Sequence, residues 1–291
     1  MANDPTAAAS RGPHPAGAHA LRVLAISNQK GGVGKTTTAI NLGTALAATG
    51  ERVLILDLDP QGNASTGVGV PPEARHKTMF DVLAGESSLL GAKIDTKIPN
   101  LSIVAANSDL VGLEAELMGD GSRPYRLRDA ITALRAEQSE IRAPGIGGKP
   151  YTYVLIDCPP SLSLLTLNAM TAANAVLVPV QCEFFALEGI SQLKESIDQI
   201  RAALNPKLEI HGVVLTMYDQ RTSFSREIAD EVRAYFGAKV YKTVIPRNIR
   251  VAEAPSFGQP ILIYDQECIG SKAYVDLAAE VMSREREMRA A

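Results

Sequence analysis

Several residue types are scarce in this 291-residue chain, and each scarcity excludes a class of protein. There is no Trp, and the three cysteines, Cys158, Cys182 and Cys268, form no CxxC pair. A disulfide scaffold or a zinc site is therefore not expected, and a reducing cytoplasm is the default location. No apolar run reaches the ~20 residues that cross a bilayer. Residues 1–20 lack the apolar core of a secretory signal, and their Ala, Pro and Gly content predicts a disordered tail.

The chain also lacks the excess of positive charge that marks most DNA-binding proteins. Lys and Arg total 29 against 32 Asp and Glu, which gives a formal net charge of -3. The pI is near 5.9, whereas a constitutively basic nucleic-acid binder usually has a pI above ~9. Hydrophobic residues make up 46% of the chain, enough for a sizeable core. Any contact with nucleic acid therefore has to rest on a local basic patch.

Short β-branched apolar runs alternate with amphipathic segments from residue 21 onward. Strands are predicted over 21–27, 52–59, 101–106, 153–157, 175–180 and 208–216. Helices are predicted over 36–50, 188–204, 223–236 and 270–288, with Gly50 just past the end of the first. This alternation predicts an α/β fold, a mostly parallel sheet flanked by helices on both faces. Because 143–150 is interpreted as a Pro/Gly loop, residues 21–291 are expected to form one domain.

The most informative segment lies between the first predicted strand and the first predicted helix. Gly31, Gly32 and Gly34 permit tight turns there, so that successive backbone N–H groups converge on phosphate oxygens. In a phosphate-binding P-loop, Lys35 contacts the β- and γ-phosphates and the Thr36 hydroxyl ligates Mg²⁺. The residues expected to bind the nucleotide phosphates are Lys30, Gly31, Gly32, Val33, Gly34, Lys35, Thr36 and Thr37.

Two residues of this loop depart from the general P-loop pattern G-x-x-x-x-G-K-[ST]. Gln29 stands where the first glycine is expected, and Lys30 adds a second lysine. A glycine-rich turn without a ligand is a poor explanation, because the two lysines would repel each other in the absence of an anion.

Further motifs accompany this loop and identify a family. KGGVGKTT (30–37) is the deviant Walker A motif. The segments LDLDPQGNASTG (56–67), LIDCPPSL (155–162), LTMYDQRT (215–222) and VIPRNIRVAEAPSFGQPI (244–261) closely resemble the ParA/Soj chromosome-partition ATPases. The resemblance covers residues 21–285. It implies a P-loop ATPase of the MinD/ParA superfamily that binds ATP, ADP and Mg²⁺.

Three aspartates are candidate ligands or catalytic groups. Asp157 ends a predicted strand where a Walker B carboxylate belongs, although an N-capping role is an alternative. Asp57 and Asp59 alternate, so on a strand both would point the same way, which is costly unless they face a metal or a solvated cleft. The resemblance implies that Asp59 activates the attacking water and that Asp57, with Thr36 and Asp157, lies in the Mg²⁺ shell. A solvated strand end explains Asp59 alone but not Asp57.

The resemblance also implies a role for Lys30 and a position for the adenine base. It implies that Lys30 reaches across a nucleotide-sandwich dimer to the partner's ATP, as an arginine finger does. Lys30, Lys35 and Asp59 are therefore the predicted catalytic residues. The adenine is expected near Met217, Pro246 and Arg247, although ordinary loop packing would also account for Met217 and Pro246.

Basic residues are concentrated in one stretch of this acidic chain. Residues 221–250 contain seven basic and three acidic side chains. The resemblance points to a non-specific DNA surface there, for which the candidates are Arg221, Lys242, Arg247 and Arg250. Arg226 and Arg233 are more simply explained as part of a solvated helix face.

Together these features imply an ATP-dependent homodimer that binds DNA non-specifically at the nucleoid. Slow hydrolysis, stimulated by a ParB-type centromere-binding protein, would release it. The alternatives include a relative that positions a plasmid or a protein cluster. A MinD-type membrane ATPase is disfavoured because the C-terminal sequence VMSREREMRAA is too acidic and too poor in large apolar residues. An iron–sulfur reductase lacks suitable cysteine contexts, and an operator-specific repressor lacks room for an N-terminal helix-turn-helix.

Overall fold

A single eight-stranded sheet organises the computed structural model, which describes residues 21–141, 149–183 and 186–290. The strands are β1 (Arg22–Ile26), β2 (Val53–Asp57), β3 (Lys93–Asp95), β4 (Leu101–Val104), β5 (Tyr153–Asp157), β6 (Ala175–Gln181), β7 (Glu209–Tyr218) and β8 (Val240–Pro246). The longer helices are α1 (Lys35–Ala48), α6 (Arg126–Ile141), α7 (Leu164–Ala172), α8 (Ala186–Ala203), α9 (Ser223–Phe236) and α12 (Ile269–Ala290). The short helices are α2 (Asn63–Gly67), α3 (Met79–Ala84), α4 (Leu89–Ala92), α5 (Leu113–Glu116), α10 (Ile249–Glu253) and α11 (Ile261–Tyr264).

The strand order is β3-β4-β2-β5-β1-β6-β7-β8. Every neighbouring pair is parallel except β3 and β4, which are antiparallel. Successive residues of β1 enter opposite cores: Val23 packs into one, Leu24 into the other. The predicted α/β fold, a mostly parallel sheet covered on both faces, is confirmed.

Two apolar layers, one on each face, explain why the central strands are apolar throughout. One layer contains α1 and α12, represented by Leu42 and Leu277. The other contains α6, α7, α8 and α9, represented by Leu134, Met170 and Ile197. The carboxyl ends of β1, β2 and β5 meet at one edge of the sheet, where ligands bind in open α/β folds.

Most predicted elements are present, with small changes in their bounds. Residues 153–157 and 223–236 form β5 and α9 as predicted, and Gly50 (φ 94°) follows the end of α1 in the left-handed conformation. The predicted strand 52–59 was too long, because β2 ends at Asp57. The chain then turns, with the Gly62 amide donating to the Asp59 carbonyl at 2.8 Å.

Other parts of the sequence prediction were incomplete or fall outside the described residues. The predictions did not include β3, β8, α6 and α7. The tail at 1–20 and most of the loop at 143–150 are among the residues that the structure does not describe. In the part of the chain that it does describe, no helix combines the length and apolarity needed to cross a membrane.

A buried ionic cluster attaches α12 to the amino-terminal end of the sheet. Glu285 on α12 accepts a hydrogen bond from Arg22 Nε at 2.6 Å. Its Oε1 also lies 2.8 Å from Nε2 of His211, whose side chain is fully buried. Burial opposes ionisation, but His211 and Arg22 outweigh it, so the pKa of Glu285 is lowered. A carboxylate with a lowered pKa stabilises the fold at neutral pH, and this contribution is lost as the pH falls through that pKa.

Replacing Glu285 with Ala should therefore destabilise the protein, because the buried His211 would lose its carboxylate partner and Arg22 would be left with the longer, 3.4 Å contact to Glu209. We expect a loss of about 3 kcal/mol in the free energy of unfolding, measured by urea denaturation at pH 7. Glu287→Ala, at an exposed position on the same helix, is the matched control and should change it by less than about 0.5 kcal/mol. Equal losses in the two variants would show that the cluster does not stabilise the fold.

Candidate nucleotide site

The glycine-rich loop after β1 exposes its backbone to open space. Gly32 (φ 76°) and Gly34 (φ 89°) adopt left-handed conformations, and Gly34 is the N-cap of α1. A Cβ atom added at Gly31 or Gly32 would meet nothing within 4 Å, so these residues border open space. Backbone N–H groups at a helix N-terminus beside open space form a site suited to phosphate.

Side chains from distant elements hold this loop in place. Thr216, near the end of β7, donates from its hydroxyl to the Val33 carbonyl at 2.8 Å. Gln29 donates from its side-chain amide to the hydroxyl of Ser196 on α8, also at 2.8 Å. The departure from the P-loop pattern at position 29 therefore has a structural use that sequence reasoning missed.

Two aspartates lie side by side at the carboxyl ends of β2 and β5. Asp57 and Asp157 are paired in the strand register, and both are fully buried. Asp57 accepts hydrogen bonds from the Ser65 amide (2.8 Å) and hydroxyl (2.7 Å), and from the Asp59 amide (3.2 Å). Burial raises the pKa of Asp57 to about 6. The carboxylate of Asp57 thus stabilises the turn that follows β2.

Asp157 differs from Asp57 because neither of its oxygens accepts a hydrogen bond of normal geometry from the described residues, although the Thr36 hydroxyl lies close enough to lower its pKa. Burial, reinforced by the charge of Asp57, raises the pKa of Asp157 well above its usual range, while Thr36 and Lys35 oppose the shift. A buried carboxylate without a partner is costly unless a cation or a proton neutralises it. Carboxylate and hydroxyl oxygens suit Mg²⁺, so Asp157 and Thr36 fit that ion.

Lys35 is a cation that interacts with the Asp157 carboxylate. Its side chain is nearly buried, and Nζ donates to the Lys30 carbonyl at 3.0 Å. Burial lowers the pKa of Lys35, and the charge of Asp157 is the largest effect opposing this. Among the described residues no three His, Cys, Asp or Glu side chains form a metal cage. This agrees with the habit of Mg²⁺, which takes one or two carboxylates and completes its shell with phosphate and water.

Asp59 lies beyond the end of β2 and not on the strand. The sequence predicted a strand that includes Asp59, but β2 ends at Asp57, so strand alternation does not relate the two side chains. Asp59 is partly exposed, and its Oδ1 accepts the Gln61 amide at 3.0 Å. The two carboxylates therefore have different surroundings: one is fully buried and hydrogen-bonded, the other faces the cleft edge.

The two lysines of the loop also differ in their surroundings. Lys35 points inward, whereas the side chain of Lys30 is 33% exposed and forms an ion pair with Glu183 at 3.2 Å. Because exposed ion pairs contribute little free energy, a stronger anion would displace Glu183 from Lys30.

The residues predicted near the adenine meet at the carboxyl ends of β7 and β8. Tyr218 and Pro246 are register partners, and the Arg247 amide donates to the Tyr218 carbonyl at 3.0 Å. Met217 has φ 50° and is 37% exposed. A left-handed conformation is uncommon for a residue other than glycine and is concentrated at functional sites.

Three of the four predicted DNA-contacting residues line one open groove of about 1130 Å³. These are Arg221, Arg247 and Arg250. Lys242 lies on β8 outside this lining, and its amide donates to Glu280 on α12.

Acidic residues that sequence reasoning missed also line this groove. Asp219 holds Arg221 through two bonds of 2.9 and 2.7 Å, which keep the pKa of Asp219 at about 2, and Glu253 pairs with Arg250 at 3.2 Å. Asp219 was missed because the count of charges began at residue 221. Its position two residues before Arg221 was the available signal.

Comparisons with known proteins agree with this geometry. A family model described as "AAA domain" matches residues 21–210. The chromosome partitioning protein ParA of Caulobacter vibrioides is 61% identical over 273 residues, which cover 94% of this chain and 98% of that protein. The sporulation initiation inhibitor protein Soj of Bacillus subtilis is 46% identical over 260 residues, covering 89% and 98%.

A solved structure of similar fold is that of cobyrinic acid a,c-diamide synthase from Mycobacterium smegmatis with bound ADP and magnesium. It superposes with a TM-score of 0.77 at 34% identity and covers 92% of this chain and 96% of that one. The family match, the high identity to the curated relatives and the P-loop geometry lead to the same conclusion. The chain belongs to the ParA/Soj family of chromosome-partitioning ATPases.

Proposed function

We propose that this chain is a nucleotide-controlled switch in which ATP joins two protomers and the pair holds DNA without sequence preference. Slow hydrolysis, stimulated by a ParB-type centromere-binding partner, returns the protomers to a state that releases DNA. The observation that carries the proposal is the unequal placement of the two loop lysines. Lys35 lies in the cleft of its own protomer, while Lys30 lies at the surface, where its ion-pair partner among the described residues is the exposed carboxylate of Glu183.

Within one protomer the chain's own groups bind and orient ATP. The amides of residues 31–37 and the ammonium of Lys35 hold the phosphates. Asp157 and Thr36, with the adjacent Asp57, would hold Mg²⁺, and the ion would supply positive charge that offsets the charge of the phosphates. Asp59, at the cleft edge, accepts a hydrogen bond from the attacking water and orients it. Met217, Pro246 and Arg247 flank the adenine.

Between protomers, Lys30 supplies the charge that one protomer lacks. It gives up Glu183 and contacts the phosphates bound to the partner, where an added cation stabilises negative charge in the transition state. ADP lacks the γ-phosphate and therefore offers less charge to hold the pair. The same requirement keeps the intrinsic hydrolysis slow, since the site is complete only in a correctly paired dimer.

The groove that contains Arg221, Arg247 and Arg250 is the proposed DNA surface. One protomer of net charge -3 binds DNA weakly, but pairing doubles the number of phosphate contacts. If each protomer makes about two contacts, the dimer makes about four, and log K against log salt has a slope of about -3.6. Because the proposed contacts are to phosphates, the binding is independent of sequence and places the ATP form on the nucleoid.

The nucleotide dependence tests the switch directly. We expect binding of a double-stranded DNA of arbitrary sequence with ATP and Mg²⁺, and binding weaker by about tenfold or more with ADP or without nucleotide. Fluorescence anisotropy measures the binding, and light scattering under the same conditions should show dimers only with ATP. Equal DNA binding in all three conditions would contradict the switch.

Replacing Asp59 with Ala should slow hydrolysis by about a hundredfold or more and leave ATP binding intact, because only the positioning of water is lost. The variant should stay as a dimer on DNA long after ATP is removed from solution, which a dissociation time course measures. Glu73→Ala, at an exposed acidic position in the following loop, is the control and should behave as the wild type. Normal hydrolysis by Asp59→Ala would show that another group orients the water.

Replacing Arg221 with Ala should leave ATP-dependent pairing unchanged and weaken DNA binding. Two contacts disappear from each dimer, so the slope of log K against log salt should become shallower by about 2. Arg226→Ala, an exposed arginine at the start of α9, is the matched control and should keep the wild-type slope. If both variants lose the same affinity, the groove has no special role in DNA binding.

A further inference from the structure

A buried hydrogen-bond network supports the turn that carries Asp59. Asp57 accepts the Asp59 amide with one oxygen and the Ser65 amide and hydroxyl with the other. The Ser65 hydroxyl in turn accepts the amide of Ala106 at 3.1 Å. The turn and the start of α2 are thereby fixed to the segment that follows β4.

Arg75 closes the same network from the opposite side. Its Nη1 donates to the Ala106 carbonyl at 3.1 Å, and its Nη2 donates to the Thr66 hydroxyl at 2.7 Å. Nη2 and Nε both donate to the Val70 carbonyl, at 2.9 and 3.2 Å. One guanidinium therefore joins two backbone carbonyls and one side-chain hydroxyl, a geometry that the single ammonium of lysine does not reproduce.

The guanidinium also packs directly on the turn. A Cβ atom added to Gly62 would lie 2.2 Å from Arg75 Nη1 and 3.1 Å from the Ala106 carbonyl oxygen. Gly62 has φ 64° and donates its amide to the Asp59 carbonyl at 2.8 Å. Contact between Arg75 and the bare glycine backbone thus limits movement of the residue that closes the Asp59 turn.

The donors of Arg75 point at its own chain, and its side chain is partly buried. The main charge that favours its protonated form is the buried Asp57 carboxylate, whereas burial lowers the pKa of Arg75. With Nε, Nη1 and Nη2 all engaged, Arg75 is not a free cation for phosphate or DNA. Its position suits it to hold a backbone segment in place.

We infer that Arg75 is a positioning residue for hydrolysis: it holds the 59–67 segment so that the Asp59 carboxylate stays aimed at the attacking water. This inference rests on the proposed role of Asp59. A displacement of about 1 Å in a group that orients a nucleophile lowers the rate by up to about a hundredfold. Loss of Arg75 should therefore affect the chemical step and leave nucleotide binding unchanged.

The test compares Arg75→Ala and Arg75→Lys with Lys77→Ala, an exposed position two residues away. Single-turnover and steady-state ATPase assays of the full chain should show that kcat falls by about tenfold or more in both Arg75 variants, with KM unchanged. Hydrogen exchange should become faster in peptides covering 59–67 while β1 and β5 stay protected. Arg75→Lys keeps the charge and the alkyl stem, so it addresses the question even if Arg75→Ala does not fold.

The double variant Asp59→Ala, Arg75→Ala separates this inference from the proposed function. If Arg75 acts through Asp59, its removal should not slow the Asp59→Ala protein further. A further loss of the same size in the double variant would overturn the inference. If Asp59→Ala itself hydrolyses ATP slowly, a normal kcat or an altered KM in the Arg75 variants would overturn it as well. Normal hydrolysis by Asp59→Ala alone would instead contradict the proposed role of Asp59, and the action of Arg75 through it.

Discussion

The pair of buried carboxyl groups at the carboxyl ends of β2 and β5 is the constraint on which the site depends. Asp57 and Asp157 are adjacent, fully buried and at the same level of the sheet. Asp57 is stabilised by Ser65 and by the Asp59 amide, but neither oxygen of Asp157 accepts a hydrogen bond of normal geometry from the described residues. Burial of an ionised carboxyl group is costly in the absence of a cation, so this position favours the binding of a cation.

The glycine loop supplies the counterpart of this charge. Lys35 is held next to Asp157 by its bond to the Lys30 carbonyl, and the left-handed Gly32 and Gly34 keep the backbone open toward solvent. The site thus combines the two buried carboxyl groups, the inward ammonium of Lys35 and the backbone N–H groups of the loop. This combination suits a phosphate ligand that carries a metal ion. A protein that needed only to bind nucleotide would be complete at this point. In the proposed function, Lys30 is the additional group: from its exposed position it would contact the nucleotide of a second protomer.

The sequence predicted the fold class and the central strands because their signals are local. β5 and α9 matched their predicted bounds, since an apolar run of β-branched residues and an amphipathic helix with an N-cap carry their own evidence. The end of β2 was placed two residues too late because both Asp57 and Asp59 follow an alternating pattern. The end of β2 at Asp57 depends on the turn that follows, in which Asp57 accepts hydrogen bonds from the Ser65 and Asp59 amides.

The contacts that support the site could not be predicted from the sequence, because they join residues that lie far apart in the chain. The bond from Gln29 to Ser196 spans 167 residues, and the pairing of Lys30 with Glu183 spans 153. Arg75 follows a proline-rich loop and matches no motif, so its contact with Gly62 is visible only in three dimensions. Motifs identify the residues that meet the ligand. They do not identify the residues that hold those groups in place.

In the proposed switch, Lys30 acts on the nucleotide of the partner protomer. Mixing Lys30→Ala with Asp59→Ala before ATP is added tests this action, because each variant alone lacks one essential group. In a mixed pair, the Lys30→Ala protomer keeps its own Asp59 and receives Lys30 from its partner. The mixture should hydrolyse ATP at up to about a quarter of the wild-type rate, since about half of random pairs are mixed and each has one complete site. Hydrolysis no faster than that of the two variants assayed separately would contradict it.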